Sequence, residues 1–267
     1  MTLIRITVLL LLPLLTFGQK AGEIDLSHWK LELPTGYTAS EWKLSNFQKD
    51  KFAKPFFYLD PTNGSLVMEA YPSPGKSKAK YTKNTLREQM EPGSSSKNWT
   101  MQEGGTLTAE FQVTEMSKET SKKYHRTLLF EVQGRSTKEQ NEKMDREKSI
   151  SMPLLKVYWQ NERIRIQRKV LEDESTSGND LLEKSAWKDD SGRYFKGTVS
   201  FEKANIKIVV SDGRVEVHLN DLKPIVYRDT STRKWPFENY FNAGNYLQTK
   251  EPGSKAVVKF YQLEVTH

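Results

Sequence analysis

The segment Tyr240-Phe241-Asn242-Ala243-Gly244-Asn245-Tyr246-Leu247-Gln248 places phenols and amides at alternate positions. Residues two apart in an extended chain share a face. Tyr240, Asn242, Tyr246 and Gln248 therefore line one side, and Phe241, Ala243 and Leu247 the other. Gly244 falls on the polar side, where a missing side chain lets a ligand approach the backbone. Such a face suits a sugar-binding groove, and it equally fits an ordinary solvent-facing strand; periodicity does not choose between them. Lys83, Arg87 and Gln89 share a second alternating face, and His125, Glu131 and Gln133 a third. A guanidinium with amides can neutralise an acid group, and a phenol or imidazole can move a proton. Read alone, Arg87 is an ion pair or an exposed charge, Gln133 an amide bonded to backbone, and His125 a structural histidine. His28, His218 and His267 have no supporting constellation, and no spacing of metal ligands stands out.

The elements that would hold these residues are short strands between turns. Candidate strands cover 56–59, 65–71, 106–113, 127–133, 154–160, 163–170, 194–202, 205–211, 214–219, 223–228, 240–248 and 256–265. Ile206-Lys207-Ile208-Val209-Val210 and Val215-Glu216-Val217-His218-Leu219 alternate apolar and polar residues, and Asp212-Gly213 between them is a two-residue hairpin signal. Many short strands with regular turns predict an all-β sandwich, jelly roll or barrel. No repeat or linker divides the chain. Residues 134–149 form a highly charged excursion, read as a solvated surface segment or a mobile lid over an anionic substrate. Residues 172–190 read as a loop.

Residues 1–18 have the pattern of a cleaved secretory signal: Arg5, an apolar run from Val8 to Leu15, and Thr16-Phe17-Gly18 before Gln19. The apolar run is shorter than the ~20 residues of a membrane span, so no stable membrane anchor is expected, and residues 19–267 form one domain. Absence of cysteine excludes disulfides, thiol nucleophiles and lipid attachment through a thiol. The expected location is periplasmic or secreted, in a bacterium. The net charge is +7, and +6 without the signal, which favours encounter with polyanions. The basic residues are dispersed among acids without a nucleic-acid motif, so an anionic polysaccharide is the expected partner and nucleic acid is not.

Three segments carry a family resemblance. The 240–248 segment resembles the Tyr-Phe-Lys-Ala-Gly-x-Tyr-x-Gln signature of the family-seven polysaccharide lyases, the alginate lyase type, with Asn242 in place of Lys. Lys83-Asn84-Thr85-Leu86-Arg87-Glu88 is similar to that family's Arg-Ser/Thr-Glu-Leu-Arg-Glu motif, with Lys83 and Thr85 as departures. Ile24 to Pro34 resembles its N-terminal strand, and Phe260 to Val265 its last. Glu131-Val132-Gln133 falls where the family has Gln-Ile/Val-His, so Gln133 replaces the usual catalytic His.

The resemblance implies a β-jelly-roll with a concave groove that cleaves a uronic-acid polymer by β-elimination, without a cofactor and as a monomer. Arg87 would neutralise the uronate carboxylate with help from Gln133, while Tyr246 would act as base and then acid, provided nearby cations lower its pKa from ~10. Lys83, Gln89, Glu131, Tyr240, Asn242 and Gln248 would contact substrate, with His125 as a fallback base. The lost His points to syn elimination on mannuronate-rich alginate or a glucuronate-containing glycan. Two rivals remain: a silent carbohydrate-binding protein on the same fold, and a glycoside hydrolase using two of Glu88, Glu110 and Glu131.

Overall fold

A computed structural model describes residues 24–33, 38–39, 53–72 and 81–267. The signal read in residues 1–18 lies outside them. Two antiparallel sheets pack face to face, the arrangement of a jelly-roll sandwich. The first sheet is built from β1 (Trp29–Glu32), β2 (Thr38–Ala39), β5 (Thr82–Glu88), β7 (Arg126–Arg135), β8 (Ser151–Gln160), β9 (Arg163–Leu171), β10 (Trp187–Asp189), β11 (Arg193–Tyr194) and β15 (Glu238–Leu247). Its order is β10-β9-β8-β7-β15-β5-β1-β2, with β11 also on β9. The second contains β3 (Phe57–Leu59), β4 (Leu66–Ala70), β6 (Gly105–Met116), β12 (Ala204–Ser211), β13 (Arg214–Leu219), β14 (Ile225–Tyr227) and β16 (Ala256–Thr266), in the order β14-β13-β12-β6-β16-β4-β3.

Alternation places one face of each strand between the sheets. Phe130 of the first sheet meets Phe111 and Phe260 of the second edge-to-face, at 5.4 and 5.8 Å between ring centres. All three are fully buried, each contributing about 2–3 kcal/mol of transfer free energy. Polar ties cross the same interface. Asn245 donates to the carbonyls of Met68 and Ala256 and accepts from Thr127 Oγ1. Its register partner Asn84 donates to the carbonyls of Phe56 and Glu69.

Asp212-Gly213 does form the hairpin turn, with Ser211 opposite Arg214 and Gly213 at φ 64°. Other expectations change. The strand predicted over 194–202 shrinks to Arg193–Tyr194. Beyond it, Ser200 takes φ 37° and the Val199 amide turns to the Glu162 carbonyl, geometry that no continuous ladder allows. The charged excursion holds a helix, α1 (Lys138–Lys143), started by a Thr137/Gln140 capping box. It is fastened by Gln140 to the Pro236 carbonyl and by Arg146 to Glu183 and the Leu182 carbonyl. The 172–190 segment holds two short 3₁₀ turns and β10. A second short helix, α2 (Thr230–Arg233), follows β14. None of the helices among the described residues is long and apolar enough to cross a membrane.

Candidate functional site

The first sheet turns its other face outward, and ladder register decides which side chains meet there. Cα partners run across the strands in two rows. One row reads Lys30, Arg87, Asn242, Glu131, Lys156, Gln167. The other reads Lys83, Tyr246, Leu128, Tyr158, Arg165, Tyr194. Tyr240 stands beside them, opposite Gln133. The register thus assembles Lys83, Arg87, Glu131, Gln133, Tyr240, Asn242 and Tyr246 on one floor from three strands far apart in sequence.

Arg87 is the most constrained of these. Its guanidinium lies 3.9 Å from the centre of the Tyr240 ring, a cation–π contact. Nη2 donates to the Ser95 carbonyl at 3.0 Å and to Asn98 Oδ1 at 3.1 Å. Nη1 is buried and has no hydrogen-bond partner, and the same is true of the acceptors Asn242 Oδ1 and Thr85 Oγ1. Buried unsatisfied donors and acceptors are costly and rare, so a cluster of them on a groove floor marks where a ligand completes the bonding.

Asn242 Nδ2 donates to Glu131 Oε2 at 3.2 Å. Glu131 is 8% exposed. Burial pushes its carboxyl above the usual carboxylate range, against the pull of Lys83, Asn242 and Lys156. Lys83 pairs with Glu32 at 2.8 Å; burial opposes its charge, but Glu32 and Glu131 hold its pKa up. Tyr246 departs from expectation. Burial, and then the negative charge of Glu131, raise its phenol pKa, and Lys83 compensates only in part. The cations beside it do not make it acidic. Gln133 donates to Ser151 Oγ at 2.8 Å and is only partly buried.

Two predicted contacts, Gln89 and His125, land elsewhere, and Gln248 is engaged in part by its own strand. The Gln89 amide is spent on the adjoining loop, donating to the Ser94 carbonyl and Ser95 Oγ and accepting from the Gly93 amide; it shapes the loop that clamps Arg87. Gln248 lies just past β15 with its amide on the Tyr246 carbonyl. His125 does not share the face of Glu131 and Gln133. The β7 register slips between Leu128 and Phe130, so Thr127 turns inward to Asn245, and His125, two residues earlier, turns with it. Its buried ring bonds Ser254 Oγ at 3.1 Å and lies 3.2 Å from Glu251, holding the β15–β16 connection.

Gly244 is also explained differently. A Cβ there would stand 2.4 Å from the Asn84 carbonyl oxygen and 2.7 Å from Thr85 Cα. Close approach of β5, not of a ligand, requires the glycine.

Of the carboxylates a hydrolase would need, Glu110 stands on the second sheet, paired with Lys203. Glu88 faces inward, accepting from Trp99 Nε1, the Phe241 amide and His267. Neither opposes Glu131 across the groove. Among the described residues, no group of three or more His, Asp or Glu could hold a metal ion.

Sequence reasoning missed Ser95 and Asn98, the loop groups that orient Arg87, and Arg135, whose Nη1 also donates to the Ser95 carbonyl. It also missed the far half of the groove. There Arg126 lies 5.1 Å from the Tyr158 ring centre, and Arg163 and Arg165 lie 4.8 and 5.9 Å from that of Tyr194. The alternation Arg163-Ile164-Arg165-Ile166 was the available signal for the last pair.

The sequence model of a family described as alginate lyase matches residues 24–267. Among solved structures, alginate lyase A1-II', described as a member of polysaccharide lyase family 7, aligns with TM-score 0.66 and 24% identity, over 91% of this chain and 96% of that one. A variant of that enzyme in complex with product gives TM-score 0.67 and 25% identity over the same shares. An alginate lyase from Pseudomonas aeruginosa gives TM-score 0.64 and 19% identity, over 91% of this chain and 99% of that one. No curated protein matches.

Proposed function

The chain belongs to the alginate lyase family and is a polysaccharide lyase, and from that premise we propose that it cleaves mannuronate-rich alginate, or a glucuronate-containing glycan, by syn β-elimination. The observation that carries this reading is the partnerless Nη1 of Arg87 on the same floor as Tyr246. A uronate carboxylate seated on Nη1 completes the bonding of a buried donor. Neutralising that carboxylate acidifies the neighbouring C5 proton, because the negative charge that develops is met by a fixed cation. Gln133 and Asn242 supply amide donors nearby.

Tyr246 first gives up its phenolic proton to solvent, and the phenolate then accepts the C5 proton. The C5–H electrons form the C4–C5 double bond, the C4–O bond breaks, and the same phenol returns the proton to the departing oxygen. In mannuronate and glucuronate both groups leave from one ring face, so one phenol serves both steps. In guluronate they leave from opposite faces, and a second group is needed. Gln133 cannot serve as that base, and His125 is committed to Ser254 and Glu251.

The cations and rings of Arg126, Tyr158, Arg163, Arg165 and Tyr194 extend the floor away from Tyr246. From Tyr246 to Tyr194 the row crosses four strand spacings, about 19 Å at ~4.8 Å each. That length supports binding of several uronate units. The reading takes the enzyme as exported after loss of residues 1–18 and acting as a monomer.

The test compares initial rates on polymannuronate, polyguluronate and polyglucuronate, followed by absorbance of the unsaturated product. Product from the first or third is expected, with little from the second. A clear preference for polyguluronate refutes the syn assignment, and reducing ends without the absorbance refute elimination.

A further inference from the structure

We propose that Glu131 enters the substrate complex as a neutral carboxylic acid, sharing one proton with the uronate carboxylate on the groove floor, so that polymer binding takes up a proton from solvent. The inference rests on the reading of this face as a uronate site and adds to it a linked protonation.

Glu131 occupies the centre of the row, between Asn242 and Lys156, buried and held by one amide hydrogen bond. The charged and titratable groups facing it are Lys83 and Arg87 from β5, Tyr240 and Tyr246 from β15, and Lys156 and Tyr158 from β8. Glu32 and Asp189 stand behind the two lysines. Lys83 is engaged by Glu32 at 2.8 Å and Lys156 by Asp189 at 2.7 Å. No cation forms an ion pair with Glu131 among the described residues. Arg87, across Asn242, offers the unsatisfied Nη1 that the incoming carboxylate takes. Once it does so, Glu131 faces a second carboxylate while its nearest cations, Lys83 and Lys156, stay paired with Glu32 and Asp189. Two carboxylates sharing a site cannot both stay ionised, and the pair holds one proton. Burial already biases the Glu131 carboxyl toward its neutral form.

The proton has a second effect. The negative charge of Glu131 is one of the forces holding Tyr246 in its protonated state. The shared proton offsets the charge that the uronate brings, so substrate arrival adds no further negative charge against Tyr246 ionisation, and Lys83 remains beside it.

The experiment is calorimetric titration of the full-length Tyr246→Phe protein with mannuronate oligosaccharides, in two buffers of different ionisation enthalpy. The heats should differ by an uptake approaching one proton per site, and Glu131→Gln in the same background should abolish the difference. In kinetics, KM of the native enzyme should rise by up to tenfold per pH unit at the alkaline end, and Glu131→Gln should flatten that slope. Buffer-independent heats overturn the inference, as does an uptake that survives the Gln substitution. If Glu131→Gln fails to fold, a flat KM for the native enzyme between about pH 5 and 9 overturns it equally. Proton-linked binding without turnover upholds the inference and removes the lyase reading. Turnover without linked protons does the reverse, and no binding at all ends both.

Discussion

Replacing Arg87 by Lys keeps the positive charge and tests whether the two halves of the guanidinium do separate work. One half, Nη2, holds the Ser95 carbonyl and Asn98. The other, Nη1, is the partnerless donor assigned to the uronate. A lysine has one nitrogen at the end of a flexible stem and must choose between these tasks. If it stays with the loop, the substrate loses a charge-assisted hydrogen bond worth about 1.5–3 kcal/mol, equivalent to about 10- to 150-fold in kcat/KM. If it turns to the substrate, the loop carbonyl and Asn98 lose a buried donor, at a cost of about 1–3 kcal/mol in stability. Either way the Tyr240 ring loses its planar partner at 3.9 Å. Initial rates from the unsaturated product, paired with thermal melts, separate the two outcomes. Asn98→Ala is the control, since it loosens only the loop side and should cost less activity than Arg87→Lys. A lysine variant within threefold of native kcat/KM at unchanged melting temperature would refute the divided-fork argument.

Tyr246→Phe should lower kcat by at least ~10²-fold, the low end for loss of a general acid–base group, with an unchanged melting curve; near-normal turnover removes the phenol from the mechanism. Tyr194→Ala and Arg165→Ala should each lower the ratio of kcat/KM on long chains to that on short oligomers by about 3- to 10-fold, as expected for a lost cation–π or stacking contact. An unchanged ratio would place the polymer elsewhere. His267 accepts burial, which alone would lower its pKa, yet Glu88 at 2.6 Å and the Gly104 carbonyl raise it. Its charge therefore stabilises the fold fully below the unfolded value of about 6.5, and that contribution is lost as pH rises through the folded value. His267→Gln should lower the melting temperature by about 3 °C near pH 5.5 and by less at pH about 9; an equal penalty at both pH values would show that the charge is irrelevant.

Much of this protein was legible in the order of its residues, because alternation is a local property. Asp212-Gly213 specifies its own hairpin, and the Tyr240–Gln248 pattern correctly assigned Tyr240, Asn242 and Tyr246 to one face. The family motifs, being contiguous, marked Arg87 and the Glu131–Gln133 pair. Pairing register is not local, and it decided the rest. Only the ladder shows that Arg87, Asn242 and Glu131 are successive neighbours, or that Tyr246 begins a row ending at Tyr194. A register slip between Leu128 and Phe130 reverses the face that unbroken alternation assigns to His125. Gly244 is needed because β5 presses against it, and Asn245, which looks like one more polar strand residue, bonds across the core. Side-chain ionisation depends on neighbours in the same way. The sequence left room for cations to lower the Tyr246 pKa, but burial and Glu131, brought alongside by a strand more than 100 positions earlier, raise it instead.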